Sequence, residues 1–350
     1  AWLLMGLPGS ILAFGFGQMW IGIGLALGTA ANWIFVAKRL RKFSSAAGDA
    51  ITVPQYLGNR FLSKSNALQV ICAIIFFVCF TIYVASAYVA GASVFTAIFP
   101  SLSSHAAMII FALAMLLITF FGGFKAVCWT DFFQGILMFA ALMTVPIVIA
   151  ITKDMDPAAL SVVYSYKDAV SGEMVECSFG TGLFDASWQD IISGLAWGLG
   201  YFGMPHILVR FMSIEKPSMV KKSATVAIIW VICALGCACL IAYFGRMFLA
   251  EELLTAGAQK MVFIDFARKL FPSFIAGILM AAIIAASMST ADSQLLVASS
   301  SFTSDIYKPI IRKDADEKEI LWVGRIIVVI VAVIAFFIAS SKGSGAQAIM

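Results

Sequence analysis

Charged residues are scarce in this chain of 350 residues, since only 12% of them are Asp, Glu, Lys or Arg. A soluble domain has about 25% charged residues. Hydrophobic residues make up 62% of the chain, and its mean hydropathy is +0.98. These values exclude a soluble globular protein and predict a protein that lies in a lipid bilayer. The net charge of +4 is too small and too dispersed to indicate a nucleic-acid partner.

Residues that commonly bind metals or catalyse reactions are also few. The chain has two histidines, His105 and His206, and its seven cysteines form no CxxC pair. Six of those cysteines lie within or beside apolar stretches. This pattern excludes a disulfide framework and leaves little for a zinc or haem site. No nucleophile elbow, Walker loop or HExxH motif is present, so we predict a protein that is not an enzyme and needs no cofactor.

Long apolar runs follow one another along the chain and predict an all-α polytopic membrane protein with about nine transmembrane helices. The first run begins at Ala1 without a Met or a basic segment, and we interpret residues 1–350 as a single transmembrane domain truncated at both ends. A short interfacial helix is expected around Pro54–Phe61. The predicted spans are Trp2–Phe14, Met19–Val36, Ala67–Phe99, Ala106–Val127, Trp129–Ile151, Ile191–Met212, Ser223–Phe248, Phe271–Phe302 and Ile320–Ala339.

Basic residues are distributed unevenly over the connecting loops. Lys38, Arg39, Arg41 and Lys42 follow the second span, whereas the segment from residue 153 to 190 has seven acids against two lysines. The positive-inside rule therefore predicts that the basic cluster faces the cytoplasm and that the acidic loop lies outside. We expect a multi-pass protein of the cytoplasmic (inner) membrane.

The segment Gly6-Leu7-Pro8-Gly9 interrupts the first apolar run. Pro8 lacks a helix donor and the glycines Gly6 and Gly9 permit a non-helical turn, whose free carbonyls can bind a cation. The alternative interpretation is a proline-kinked packing helix or a loop at the membrane edge.

A second interruption runs from Trp197 to His206 and contains three glycines, Pro205 and three aromatic residues. Trp197 and Tyr201 are four residues apart and predict flat apolar walls around a cavity for a small zwitterion. Close packing of a glycine-rich helix is the alternative. For His206 we favour a packing role.

Hydroxyl residues cluster in the segment from Ala285 to Ser293. The side chains of Ser289 and Thr290 lie beside the carbonyl of Ala286 on a helix, because they follow it by three and four residues. Neutral oxygens of this kind suit Na⁺. In the alternative, the hydroxyls only donate to carbonyls one turn earlier.

Two carboxylates lie inside predicted spans, where each costs about 2.5–3.5 kcal/mol. Asp292 and Ser293 share a helix face with Ser289, and an approach by Asp131 would complete a second site for a cation or proton. Asp131 is near a predicted helix start, so interaction with the helix dipole is an alternative role for it.

These motifs resemble the sodium/solute symporter family over essentially the whole chain, and are most similar to its bacterial proline-carrying members. Asp292 is a departure, because a proline-carrying member has Ser at the corresponding position, whereas other members of the family carry an acid there. The stretches that carry the resemblance are Trp2–Gly9, Phe80–Tyr83, Gly122–Phe124, Trp129–Asp131, Trp197–Phe211 and Ala285–Leu296.

The resemblance implies a LeuT-like core of inverted five-helix repeats. Residues 1–152 would form core helices one to five, and residues 189–350 core helices six to nine without the last helix. An Asp and a Ser of core helix one that matter for the cation would precede Ala1.

The resemblance also implies Na⁺-coupled import of L-proline by alternating access. Na⁺ would bind at Ala286, Ser289 and Thr290, and Asp131 would match the family's coupling aspartate. Other solutes such as another amino acid, pantothenate or a sugar, coupling to H⁺, and a transporter-like sensor domain remain alternatives. The residues expected to contact proline are Tyr83, Trp197, Tyr201 and Pro205.

Overall fold

The computed structural model describes residues 2–167 and 173–341. The N-terminal part is helical from Trp2 onwards: a π-helix at Trp2–Gly6 continues into α1 (Leu7–Phe14). Gly6 has helical backbone angles, φ −68° and ψ −58°. Pro8 stands at the start of α1, where a missing N–H breaks no helical hydrogen bond. The predicted non-helical turn at Gly6–Gly9 is therefore wrong, and the chain leaves the helix at Gly15, where φ is +86°.

Six further helical elements follow up to Ile98. They are a 3₁₀ turn at Phe16–Gln18, α2 (Met19–Ala31), a π-helix at Asn32–Ala37, α3 (Lys38–Ala46), α4 (Val53–Arg60) and α5 (Ala67–Ile98). The hydroxyl of Thr52 caps α4 by accepting from the Gln55 amide at 3.2 Å. This confirms the short helix expected near Pro54.

The helix α6 (Ser104–Thr152) covers two predicted spans. At about 1.5 Å per residue its 49 residues would measure about 74 Å, against a hydrocarbon core of about 30 Å. Gly123 has φ +57° and breaks it. The break predicted near Cys128 thus lies five residues earlier.

The acidic loop contains structure that the sequence analysis did not predict. A 3₁₀ turn at Pro157–Ser161 precedes a hairpin of β1 (Tyr164–Lys167) and β2 (Met174–Cys177), with Tyr164 opposite Cys177. Four-residue strands are too short for their alternation to stand out from a polar loop.

The second interrupted span forms as predicted. It consists of α7 (Trp188–Ala196), a 3₁₀ helix at Trp197–Phe202 and α8 (Pro205–Met212), and it bends by 44°. The remaining elements are 3₁₀ turns at Pro217–Met219 and Gln259–Met261, a π-helix at Thr303–Ile311, and the helices α9 (Val220–Phe248), α10 (Ala250–Thr255), α11 (Val262–Leu270), α12 (Ser273–Phe302) and α13 (Glu317–Ser340).

Within the described residues, six helical segments are long and apolar enough to cross a membrane, and the bent pair makes a seventh. The sequence predicts about nine spans, two more than these seven, for two reasons. Trp2–Phe14 is shorter than the roughly 20 residues of a span, and α6 counts once despite its break. The six segments are Phe16–Ala46, Ala67–Ile98, Ser104–Thr152, Pro217–Phe248, Ser273–Ile311 and Glu317–Ser340.

The chain divides into two compact units that each draw on both halves of the sequence. The predicted repeats 1–152 and 189–350 stay a prediction. The first unit comprises Ala1–Ile34, Ile136–Gly203 and Lys221–Ile283, and the second comprises Phe35–Gly135, Met204–Val220 and Ile284–Met350.

Each unit has its own buried interior. In the first unit α2 packs along α7 and the 3₁₀ helix that follows it. In the second, α5 packs against α13, and buried side chains such as Tyr88, Phe111 and Leu295 belong to one apolar cluster. The predicted site residues lie on helical elements rather than in loops.

Arg246 on α9 connects the long loop to helices of the first unit through hydrogen bonds. Its fully buried guanidinium donates to the carbonyls of Leu12 (3.2 Å), Cys177 (3.1 Å) and Val162, and it lies over the rings of Tyr164 and Phe179. Burial raises the pKa of the Cys177 thiol, and the neighbouring Arg246 charge offsets part of that rise. One side chain thereby joins α1, the hairpin and α9.

Candidate ion and substrate site

Three oxygen atoms converge on α12 where the sequence predicts a cation site. The hydroxyls of Ser289 and Thr290 each lie 3.2 Å from the carbonyl oxygen of Ala286 and donate to it, which is the hydrogen bonding that the alternative interpretation expected; the cation site stays a prediction. The i, i+3, i+4 spacing produces this arrangement because the side chains point back along the helix. The same hydroxyls can turn their lone pairs toward a cation, since a hydroxyl both donates and accepts.

Asp131 and Ser293 meet in the second unit, as the predicted second ion site requires. The Ser293 hydroxyl lies 3.3 Å from Asp131 Oδ2 and 2.9 Å from the carbonyl of Ser289. Asp131 lies on α6 and forms an ion pair with Arg210 of α8. Arg210 also donates to the Ser293 hydroxyl at 2.7 Å. The other carboxylate oxygen of Asp131, Oδ1, is buried and has no hydrogen-bond partner among the described residues.

Asp292 has a different partner from Asp131. Its side chain is fully buried, and Oδ1 accepts from the Thr119 hydroxyl at 3.1 Å. Oδ2 has no hydrogen-bond partner among the described residues, and the same holds for the buried hydroxyl of Tyr88. No three His, Cys, Asp or Glu side chains in residues 2–167 and 173–341 are grouped as metal ligands. The predicted set of Asp131, Asp292 and Ser293 is therefore held by two separate hydrogen-bond networks.

Trp197 and Tyr201 lie in the first unit, on the 3₁₀ helix of the bent span. The indole of Trp197 stacks on Trp2 with ring centres 5.5 Å apart, and half of the side chain is exposed. The Tyr201 carbonyl accepts from Asn32 Nδ2 at 2.8 Å. The 3₁₀ geometry leaves main-chain groups for such side-chain partners.

Gly6 does not form a turn, but it lies against Trp2, whose ring stacks on Trp197. A Cβ at Gly6 would lie 2.6 Å from the Trp2 indole, so the glycine makes room for the ring that stacks on Trp197. A Cβ at Gly9 would lie 3.1 Å from the Gln259 carbonyl. Gly6, Pro8 and Gly9 thus shape a packed helix, as the alternative interpretation expected.

Tyr83 and Pro205 belong to the second unit. Tyr83 on α5 is 38% exposed, and its ring centre is 6.5 Å from that of Phe80. Pro205 is buried at the start of α8, next to His206, whose ring packs edge-on against Phe80 at 5.7 Å. This contact agrees with the packing role expected for His206, which stays a prediction.

Sequence reasoning missed two partners of the carboxylates, Arg210 and Thr119. Arg210 lies within α8, inside the span predicted as Ile191–Met212. A cation inside an apolar span normally pairs with an anion there, and this rule could have matched Arg210 to Asp131. No comparable signal marks Thr119.

The sodium:solute symporter family matches residues 1–349 of the chain. The chain is 41% identical over 344 residues to the sodium/proline symporter of Escherichia coli, covering 97% of this chain and 66% of the relative. It is 40% identical over 343 residues to the high-affinity proline transporter PutP of Bacillus subtilis, covering 98% and 70%. The chain thus spans about two thirds of the length of these curated relatives.

A solved structure supports the predicted fold. The substrate-bound, outward-open state of a Na⁺-coupled sialic acid symporter matches with a TM-score of 0.69 at 18% identity, over 97% of this chain and 70% of that one. The likeness confirms an all-α, LeuT-like fold. The relatives are transporters rather than enzymes, and the chain is a multi-pass protein of the inner membrane. The chain belongs to the sodium:solute symporter family.

Proposed function

We propose that the chain forms the core of a Na⁺-coupled symporter that imports L-proline by alternating access. Sodium/proline symporters with 40–41% identity over nearly the whole chain support this substrate. The observation that carries the ion assignment is the convergence of the Ala286 carbonyl with the Ser289 and Thr290 hydroxyls.

Na⁺ would bind to these three oxygens, which are neutral and therefore release the ion more readily than a carboxylate would. Ser293 accepts from Arg210 and lies within hydrogen-bond distance of the Ser289 carbonyl, so it connects this site to Asp131. A second ion at Asp131 and Ser293 would share this network with Arg210, and Asp131 Oδ1 is the oxygen without a hydrogen-bond partner among the described residues. Asp292 would contribute Oδ2 to that second site, since its Oδ1 accepts from Thr119.

For proline we propose the set Tyr83, Trp197, Tyr201 and Pro205. Trp197 and Tyr83 are partly exposed, and aromatic rings offer flat apolar surfaces for a pyrrolidine ring. Since coupling is reciprocal, saturating Na⁺ should raise the affinity for proline by the factor with which proline raises the affinity for Na⁺.

The test is uptake of labelled proline by the complete protein in membrane vesicles, with Na⁺ gradients and with proton gradients. We expect uptake that requires Na⁺, and a Ser289→Ala variant that needs more Na⁺ for half-maximal uptake. Competition by unlabelled amino acids, pantothenate and sugars identifies the preferred solute. Uptake driven equally by a proton gradient without Na⁺, or proline binding without uptake, would contradict Na⁺/proline symport and support H⁺ coupling or a sensor.

A further inference from the structure

The second unit contains a cavity of about 470 Å³. The residues proposed above to bind Na⁺ and proline are not among those that line it. It lies between α3, the connection of residues 49–52, α8 and α12. Its volume falls within the range of about 300–1,000 Å³ that is typical of small-molecule sites. Ser293 borders it, so the cavity reaches the network beside the proposed Na⁺ site.

Arg41 and Arg210 line this cavity, and within residues 2–167 and 173–341 only Arg210 of the two has an anionic partner. Arg210 is paired with Asp131. Arg41 donates only to the backbone carbonyl of Glu215, at a long 3.4 Å, and its buried Nε has no partner among the described residues. Asp49, at the rim, is exposed and accepts from Ser45 at 2.9 Å. A partly buried cation without an anion is poorly stabilised, so a ligand anion would supply what the protein lacks.

The rest of the lining favours an anion with an apolar body. Phe124, Val127 and Leu296 contribute apolar walls, and His206 adds a buried Nδ1 without a partner in the described part of the chain. A carboxylate is matched by one guanidinium fork, and the solute of the proposed function carries one carboxylate.

We propose that this cavity binds the carboxylate of the transported amino acid from the cytoplasmic side, with Arg41 as its main anchor. The basic cluster on α3 places this end of the unit toward the cytoplasm by the positive-inside rule. The inference rests on the proposed function, because it takes proline as the carried solute. Binding here would let cytoplasmic proline slow further uptake.

The test measures initial Na⁺-driven uptake of labelled proline by the complete protein in right-side-out vesicles preloaded with increasing unlabelled proline. We expect Arg41→Gln to raise the internal concentration for half-inhibition by about fivefold or more, with external half-saturation unchanged. Arg41→Lys should show a smaller rise, because an ammonium replaces the bidentate fork. The matched control is Arg39→Gln, an exposed arginine on α3 that does not line the cavity, and it should leave both constants unchanged.

The outcomes separate the two proposals. Equal half-inhibition in the wild type and Arg41→Gln, an equal effect of Arg39→Gln, or no inhibition by internal proline would overturn the cytoplasmic carboxylate site while leaving symport intact. If the wild type takes up no proline with Na⁺, the proposed function is wrong. This inference depends on that function and is then wrong as well.

Discussion

Arg210 donates to both the Asp131 carboxylate and the Ser293 hydroxyl, so one guanidinium joins α8 to α6 and α12 in the second unit. The Asp131 side chain is largely buried, with 18% of its surface exposed. A carboxylate in that position is stabilised by its partner and destabilised when the partner is removed.

We expect Arg210→Gln and Asp131→Asn each to lower the unfolding temperature in detergent, because each leaves one charge unpaired. The double variant should unfold at a higher temperature than the sum of the two shifts implies, with a coupling of about 0.5–3 kcal/mol. Arg39→Gln is the control for removing a cation. Strictly additive shifts would show that the two charges do not stabilise each other.

Thr290 tests the ion assignment independently of Ser289. Thr290→Val keeps the shape and removes the hydroxyl, so half-maximal uptake should require about tenfold more Na⁺, which equals about 1.4 kcal/mol. Thr290→Ser restores the hydroxyl and should stay close to the wild type. As a control, Thr144→Val removes a hydroxyl that also donates to the carbonyl four residues earlier, at 2.8 Å. An equal Na⁺ requirement in Thr290→Val and the wild type would remove Thr290 from the site.

Gly198 is the point where the 3₁₀ helix of the bent span touches α2. A Cβ at Gly198 would collide with the Gly24 carbonyl and lie 3.2 Å from Gly28 Cα, whereas a Cβ at Gly200 would meet nothing within 4 Å. Gly198→Ala should therefore destabilise the protein by about 1–3 kcal/mol. Gly200→Ala, two residues away, should be neutral. Thermal unfolding of the pair is the measurement, and equal unfolding temperatures would contradict the close approach.

Arg246 should control access to the Cys177 thiol, which is fully buried in the loop. Arg246→Met removes the donors to three carbonyls, so the hairpin should open more often and Cys177 should react faster with a membrane-impermeant maleimide. Cys79→Ser in all samples removes a thiol that is exposed in the structure. Arg312→Met, which loses the ion pair with Glu319, is the control. A labelling rate unaffected by Arg246→Met would show that this arginine does not hold the loop.

The sequence predicted those features that depend on neighbouring residues. The interruption at Gly203 and Pro205 follows from local backbone chemistry, and the grouping of Ser289 and Thr290 around Ala286 follows from helical spacing. At the N-terminus the same signals were misleading, because Pro8 at the beginning of a helix removes no hydrogen bond.

The interactions that the sequence did not reveal join distant segments. Arg210 and Asp131 are 79 residues apart, and Thr119 and Asp292 are 173 apart. Their contacts depend on which faces of the helices pack together, and an apolar run of nearly uniform hydropathy does not specify a face.

The Arg246 contact with the Leu12 carbonyl spans 234 residues and so has a consequence for biosynthesis. At a synthesis rate of about 5–20 residues per second, about 12–47 seconds separate the appearance of these two groups. During that interval the newly made first helix lacks the cation that later binds its C-terminal end. Assembly of the first unit therefore finishes only after α9 has emerged from the ribosome.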